Sequence, residues 1–186
     1  LRCVNLMQPL LQEKQLLLQN RLSAPQWVMA DSLRAQQCII NILANAIKYS
    51  DEQTTITLEA GPCPTPSTST SFVRLSIRDQ GPGIAPEIGE QVFEPFYRGD
   101  DVLNRVEGAG IGLTVCLRLA EQMQGRISYD STPGVGSVFH LDLPAAHSTA
   151  KVASQVALQQ ASQQATKQAT QPAMQPAGQP APERTS

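Results

Sequence analysis

The sequence predicts an α/β domain of two layers, in which helices cover one face of a mixed β-sheet. Apolar residues recur at helical spacing in three stretches, and segments rich in β-branched residues with alternating polarity lie between them. The 186 residues are 41% hydrophobic, which is enough for one domain with a buried core. The net charge of −2 gives no reason to expect nucleic acid as a partner.

The first third of the chain alternates between helix and strand. Residues 4–22 have leucines at helical spacing and predict a helix, and residues 24–31 predict a short edge strand. Residues 32–50 predict a second helix, for which Asp31 is a suitable N-cap. We expect four aliphatic residues to form its buried stripe: Leu33, Ile40, Leu43 and Ile47.

The rest of the domain predicts two pairs of strands with a third helix between them. This helix, residues 111–125, is expected to end with Gly125 in the C′ position. Residues 80–110 predict a turn, a short helix and a long irregular segment. The first two strands could form a hairpin around a loop rich in Pro, Ser and Thr. The four strands are predicted at residues 54–60, 72–79, 126–131 and 136–144.

The composition changes after Pro144 to Ala, Gln, Ser, Thr and Pro, which cannot bury a core. We therefore expect a domain over residues 1–144 and a disordered tail over residues 145–186. The chain begins at Leu1 rather than at a methionine, so we expect a piece of a longer protein. The four cysteines form no C-x-x-C pair and are expected to be reduced apolar residues.

The hexapeptide DQGPGI, residues 79–84, directly follows a predicted strand. Gly81 and Gly83 would let the backbone turn sharply and pass close to a flat ligand, because glycine has no Cβ. A carboxylate fixed at a strand end, here Asp79, accepts a hydrogen bond well, and an exocyclic amine such as adenine N6 is a natural donor. The hexapeptide could equally be a plain turn that ends the strand.

A second glycine motif, GAGIGL at residues 108–113, opens the third helix. The first turn of a helix offers unpaired N–H groups to an anion such as phosphate. The motif is not a P-loop, because no Gly-Lys-Ser/Thr follows. It is not the dinucleotide fingerprint, because no strand precedes it and Leu113 occupies the place of the third glycine. It could hold phosphate or act as a flexible hinge.

The motif FEPFYR, residues 93–98, lies between the two glycine motifs. Phe93 and Phe96 are three residues apart, and both are expected to lie in the core. The segment 99–107 follows directly and is rich in Asp, Arg and Gly. The sequence therefore predicts a mobile lid that is anchored by these aromatic residues.

The stretch NILANAIKYS of the second helix sets Asn41, Asn45 and Lys48 on one face, within about 60° of one another. Such a face could simply be solvated. Opposite an amine-binding aspartate and a phosphate-binding helix, it could instead line a site. A carboxamide oxygen suits Mg²⁺, which also binds substrate phosphates, and Lys48 suits the phosphate charge.

These four motifs, in this order, resemble those of the ATP-binding catalytic domain of bacterial sensor histidine kinases. That family belongs to a superfamily shared with gyrase, the ninety-kilodalton heat-shock chaperones and mismatch-repair ATPases. NILANAIKYS resembles the N box, DQGPGI the first glycine box, FEPFYR the F box and GAGIGL the second glycine box. The resemblance covers residues 1–144 and implies the two-layer Bergerat fold, with ATP between the helices under a flexible lid.

The resemblance also implies individual contacts to the nucleotide. Asn45 would coordinate Mg²⁺, Lys48 would contact phosphate, and Asp79 would bind adenine N6. Arg105 would be a further phosphate contact in the lid. The residues implied to bind ATP are Asn45, Lys48, Tyr49, Asp79, Gly81, Gly83, Ile84, Arg98, Gly108, Ala109, Gly110, Ile111, Gly112 and Leu113.

The implied function is transfer of the γ-phosphoryl group of ATP, bound with Mg²⁺, to a histidine in two-component signalling. Neither His140 nor His147 lies where the family has its phosphoacceptor histidine. The acceptor would therefore lie in a separate, upstream dimerisation domain, and the receiver domain of a response regulator would be a further partner. The domain is expected to be cytoplasmic, in a sensor kinase anchored in the inner membrane.

Asn41 helps to choose among the relatives. ATP-hydrolysing members and the anti-sigma serine kinases usually carry a glutamate at this position, where a carboxylate can act as a general base. An amide cannot accept that proton, so Asn41 favours a histidine kinase over a serine kinase or an ATPase. A regulatory domain that binds nucleotide without transferring a phosphoryl group is a further alternative.

Overall fold

The computed structural model describes residues 2–64, 71–97 and 110–146. The predicted lid and the part of the predicted tail beyond Ala146 lie outside these residues. None of the described helices is long and apolar enough to cross a membrane. The elements in chain order are α1 (Arg2–Glu13), β1 (Leu17–Asn20), α2 (Ser32–Tyr49), β2 (Thr55–Pro62), β3 (Phe72–Arg78), a 3₁₀ helix (Gly89–Phe93), α3 (Gly112–Gln122), β4 (Arg126–Thr132) and β5 (Gly136–Pro144).

The five strands form one open, mixed sheet in the order β1-β2-β3-β5-β4. β1 pairs with β2 in parallel, and the other three pairs are antiparallel. The helices α2 and α3 pack on one face of the sheet, as predicted, and α1 packs against α2. The core includes Leu11, Ile42, Leu43, Ile56, Leu58, Ile77, Cys116, Phe139 and Leu141.

The helix α2 begins where the sequence predicts, but its buried face is shifted. Asp31 caps the helix, because its side chain accepts hydrogen bonds from two backbone N–H groups of the first turn. Leu33 is 75% exposed and Ile40 is only half-buried, contrary to prediction. Leu33 lies five residues before Cys38, which turns it about 140° from the buried face. The buried residues are Cys38, Ile42, Leu43, Ala46 and Ile47.

The two elements predicted before α2 are wrong in their extent. The predicted helix 4–22 ends at Glu13, because Gln15 adopts a left-handed conformation with φ of 55°. Leu17 and Leu18 then begin β1, since a short leucine run fits either periodicity and the pairing with β2 decides between them. The predicted edge strand 24–31 is reduced to a single bridge between Val28 and Ala145.

The end of α3 differs from the prediction by one residue. Gln124, with φ of 57°, is the left-handed C′ residue, and Gly125 follows it. The N–H of Gln124 donates to Glu121 and the N–H of Gly125 donates to Ala120, which closes the helix with a Schellman motif. Gly125 is required for another reason, because a Cβ there would clash with the backbone carbonyl of Asp142.

The cysteines are free thiols, as predicted. Cys38 and Cys116 are fully buried, and each thiol points to the backbone carbonyl of the other residue. The hydrogen bond with Cys38, together with burial, raises the pKa of Cys116. Both residues therefore act as small apolar side chains between α2 and α3.

The strand β5 is also buried on the face of the sheet that carries no helix. Asp142 is fully buried there, with Arg74 and Arg126 each 2.7 Å from its carboxylate oxygens. Burial acts to raise the pKa of Asp142, but the hydrogen bonds from the two arginines outweigh it and lower the pKa. On the same face of the sheet, His140 Nε2 lies 2.9 Å from Asp130 Oδ2. Ionic and polar pairs thus cover this face.

Candidate functional site

Asp79 follows β3 directly and is held by two backbone amides. Its Oδ1 accepts hydrogen bonds from the N–H of Gly81 and the N–H of Ser137, both at 3.0 Å. Asp79 is only 6% exposed, and this burial raises its pKa although the two hydrogen bonds oppose the shift. Its Oδ2 accepts no hydrogen bond from the described residues, so this oxygen is available to a ligand that carries a donor.

The loop of residues 79–84, called the Asp79 loop below, contains two glycines that make close contacts within the protein. A Cβ on Gly81 would lie 2.5 Å from the carbonyl oxygen of Tyr49, at the end of α2. Gly83 has φ of 73°, and a Cβ there would clash with the carbonyl of Thr132. The predicted sharp turn is therefore present, and within the protein the two glycines allow close approaches to α2 and to β4.

Three residues that the sequence analysis did not select hold the loop in place. The backbone N–H of Ser137 fixes Asp79, as described above, and the Ser131 hydroxyl accepts from the N–H of Ile84 at 2.8 Å. The Gln80 carboxamide accepts from the N–H of Thr55 at 2.8 Å and ties the loop to β2. Sequence spacing could not identify them, because all three contacts join distant parts of the chain.

The polar face of α2 borders this loop. Asn41, Asn45, Lys48 and Tyr49 are all half-buried, at the margin between the core and solvent. Lys48 Nζ lies 4.9 Å from the centroid of the Tyr49 ring. The Asn45 carboxamide makes no hydrogen bond to the part of the chain that the structure describes, so its oxygen is available as a ligand for a cation.

Asn41 connects α2 to the start of α3. Its Nδ2 donates to the carbonyl oxygen of Gly112 at 3.2 Å, and its Oδ1 accepts from Gln37 Nε2 at 2.9 Å. Both ends of the carboxamide are thus engaged by the protein. This geometry differs from that of a free metal ligand, and it fixes the first turn of α3 against α2.

The N-terminus of α3 is uncapped by side chains. Its N-cap is Ile111, which makes no side-chain hydrogen bond to the helix. The N–H groups of Gly112, Leu113 and Thr114 therefore have no side-chain acceptor among the described residues. Gly110, with φ of 67°, turns the chain into the helix and accepts a hydrogen bond from the N–H of Phe96. An anion could bind here.

The two aromatic residues of FEPFYR have different environments. Phe93 is buried and packs edge-on against Tyr129, as predicted for a core residue. Phe96 is 71% exposed, so its prediction as a core residue was wrong. Its backbone has φ of 63°, and this left-handed turn directs the side chain away from the core.

The structure thus brings the two glycine motifs against the second half of α2, one at the end of the helix and the other at its middle. The Asp79 loop contacts Tyr49, and the start of α3 contacts Asn41, eight residues or about 12 Å earlier along the helix axis. The site suits an elongated ligand with a donor at one end and negative charge at the other. Four predicted contacts lie outside the described residues: Arg98, Arg105, Gly108 and Ala109.

Comparison with protein families gives a match over residues 30–147 to the model described as "Histidine kinase-, DNA gyrase B-, and HSP90-like ATPase". The adaptive-response sensory kinase SasA of Trichormus variabilis is 44% identical over 117 residues, which is 63% of this chain and 28% of that protein. The sensor histidine kinase RcsC of Escherichia coli K12 is 36% identical over 115 residues, which is 61% of this chain and 11% of that protein.

Solved structures show the same fold. Full-length ShkA in complex with AMPPNP matches 79% of this chain and 29% of its own, with a TM-score of 0.66 and 30% identity. The nucleotide-free catalytic domain of the histidine kinase ThkA matches 77% of this chain and 88% of its own, with a TM-score of 0.64 and 25% identity. The chain therefore spans less than a third of its relatives SasA and RcsC but most of an isolated catalytic domain.

Proposed function

Because the chain belongs to the family of histidine kinase-, DNA gyrase B- and HSP90-like ATPases, we propose that it binds ATP for phosphoryl transfer to a protein histidine. The relatives named above are a sensory kinase and a sensor histidine kinase, which supports this branch of the family. The chain would form the catalytic, ATP-binding part of such a kinase in two-component signalling. Residues 1–144 would be this domain, and the remaining residues a disordered tail.

The geometry of Asp79 is the observation that carries the proposal. Two backbone amides engage one carboxylate oxygen and leave the other without a donor among the described residues. An exocyclic amine such as adenine N6 supplies the donor that this oxygen requires. Tyr49, whose carbonyl contacts Gly81, would line the base, and Ile84 would pack beside it. The base would thus bind between the Asp79 loop and the end of α2.

The other end of the site would hold the phosphates. The uncapped N–H groups of Gly112 and Leu113 offer hydrogen bonds to negative charge, and the dipole of α3 favours an anion there. Gly110 and Ile111 complete this turn, and Lys48 would add a positive charge from α2. These groups stabilise the charge that develops on the transferred phosphoryl group, which is the main requirement for catalysis of this reaction.

The donor set fits a single Mg²⁺ ion. Asn45 offers a carboxamide oxygen that no described residue engages, and Mg²⁺ commonly takes one or two protein ligands and completes its shell with water and substrate phosphates. Bound there, the ion would neutralise phosphate charge. Asn41 is held by Gln37 and Gly112 and carries no carboxylate to activate water, which favours a histidine kinase over an ATPase.

The phosphoacceptor histidine would come from a separate dimerisation domain. His140 is buried on the helix-free face of the sheet, where it contacts Asp130 and Ser76, whereas the proposed site lies on the helix side. A receiver domain of a response regulator would take the phosphoryl group from that histidine, and nucleic acid would have no role. We further propose a cytoplasmic location within a kinase anchored in the inner membrane.

A phosphorylation assay tests the proposal. The full chain is incubated with Mg²⁺, ATP labelled at the γ-phosphate and the dimerisation domain of the intact protein. We expect label on the dimerisation domain that is labile in acid and stable in base, as expected of phosphohistidine, and no label with the Asp79→Ala variant. An acid-stable product, or steady phosphate release without the acceptor domain, would contradict the proposal.

A further inference from the structure

Lys14 lies in the turn between α1 and β1, yet it contacts the far end of α2. Its Nζ donates to the backbone carbonyl of Lys48 at 2.7 Å and to that of Ser50 at 3.1 Å. The side chain is half-buried, and both of its partners are backbone carbonyls rather than carboxylates. The ammonium group therefore joins two segments that are 34 to 36 residues apart in the sequence.

The end of α2 needs such a partner. The last carbonyls of a helix have no intrahelical donor, and the helix dipole places partial negative charge there. Helix α3 ends with the left-handed residue Gln124 and the two hydrogen bonds of a Schellman motif. Helix α2 instead ends at Ser50 with extended backbone, φ of −66° and ψ of 145°. The cation of Lys14 thus takes the place of a glycine cap.

The segment that Lys14 holds also supports the Asp79 loop. The carbonyl of Tyr49 lies between the two carbonyls bound by Lys14 and faces Gly81, where no Cβ could fit. The N–H of Gly81 in turn donates to Asp79 Oδ1 at 3.0 Å. A continuous chain of contacts therefore runs from Lys14 through the end of α2 to the carboxylate.

From this geometry we infer that Lys14 is a positioning residue for the nucleotide base. It fixes the end of α2 against the Asp79 loop and so sets the place of the oxygen that accepts from the base, without touching the nucleotide. This inference rests on the proposed function. The competing explanation is that Lys14 only stabilises the fold. A positioning role predicts weaker binding of the nucleotide base but not of the phosphates.

The Lys14→Met variant tests the inference in the full chain. Methionine keeps an unbranched apolar stem but removes all donors. We expect the affinity for ATP to fall about threefold to thirtyfold, the range for residues that act through a network. The affinity for inorganic triphosphate, which lacks the base, should stay within about twofold. The Lys14→Arg variant, which restores a cation with donors, should recover most of the ATP affinity.

A matched control is Arg21→Met, which removes a long cation from the same region. Arg21 forms an exposed pair with Glu59 at 3.2 Å and makes no contact with the end of α2. We expect unchanged affinity for ATP in this variant. If Lys14→Met is insoluble, Lys14→Gln replaces it, since glutamine removes the charge and is too short to reach both carbonyls.

Amide NMR spectra of the nucleotide-free chain supply a readout independent of ligand binding. The resonances of Gly81 and Asp79 should shift in Lys14→Met and stay in place in Arg21→Met. Lower thermal stability combined with unchanged ATP affinity and unchanged Gly81 resonance would refute the positioning role. If the unmodified chain binds no ATP, the proposed function fails, and the Gly81 resonance still decides whether Lys14 positions the loop.

Discussion

Replacement of Asp79 by asparagine changes one atom of the proposed base contact and keeps its shape. The carboxamide oxygen can continue to accept the two hydrogen bonds from Gly81 and Ser137. The second position becomes an NH₂ donor where a carboxylate oxygen stood. Burial already disfavours the charged form of Asp79, as its raised pKa indicates, so a neutral side chain should not unfold the loop.

The expected loss follows from the hydrogen bond that disappears. A hydrogen bond to a charged group contributes about 1.5 to 3 kcal/mol, which corresponds to about tenfold to about 150-fold in affinity for ATP. The new NH₂ group would face the amine of adenine, donor against donor. Inosine triphosphate carries a carbonyl oxygen at the same ring position and can accept from it. The variant should therefore prefer inosine triphosphate, whereas the unmodified chain should prefer ATP.

Calorimetric titration of both proteins with both nucleotides measures this inversion. The matched control is Asp130→Asn, which neutralises an exposed carboxylate on the helix-free face and should leave both affinities unchanged. Equal ATP affinity in Asp79→Asn and the unmodified chain would refute the assignment of Asp79 to the base. An equal loss for both nucleotides would show that the substitution disrupts the loop rather than its selectivity.

Three further changes test other parts of the structure. Asp142→Asn should lower the free energy of unfolding by about 3 kcal/mol at neutral pH, because it leaves two arginines without their carboxylate. Because the pKa of Asp142 is lowered, its contribution to the free energy of unfolding is fully present above the ordinary aspartate pKa and is lost as the pH falls through the lowered pKa. Urea titrations across acidic pH should show this loss in the unmodified chain and not in the Asp142→Asn variant. Gly125→Ala should cost about 1 to 3 kcal/mol through its clash with a backbone carbonyl, whereas Gly61→Ala, with open space around it, should stay within about 0.5 kcal/mol in the same titration. Asn45→Ala should slow Mg²⁺-dependent phosphoryl transfer while metal-free ATP affinity stays within about twofold; equal transfer rates would contradict its role as a metal ligand.

Local signals in the sequence predicted much of the fold and the position of the loop that follows β3. Asp31 before an apolar helix predicted a cap, and alternating residues predicted the strands. Asp79 at a strand end and Gly83 in a turn were also identified correctly as features of one loop. Each of these signals depends on a few neighbouring residues, whose backbone preferences are nearly independent of the rest of the chain.

Features that depend on distant partners were not predicted. The leucines of β1 fit a helix as well as a strand, and only their pairing with β2 decides between them. Phe96 has the spacing of a core residue but itself adopts a left-handed backbone conformation. Lys14 shows no local pattern, because both of its partners lie more than 30 residues away. The roles of Ser131 and Ser137 are hidden for the same reason.

The parallel pairing of β1 with β2 has consequences for the order in which the domain folds. The β4–β5 hairpin joins residues that are close in the sequence, so its closure costs little chain entropy. The pairing of β1 with β2 must wait until the whole of α2 has crossed between them. Because Lys14 lies next to β1, its hydrogen bonds to the end of α2 form in the same step as this pairing. The domain would thus acquire an ordered base pocket only in the step that adds β1 to the sheet.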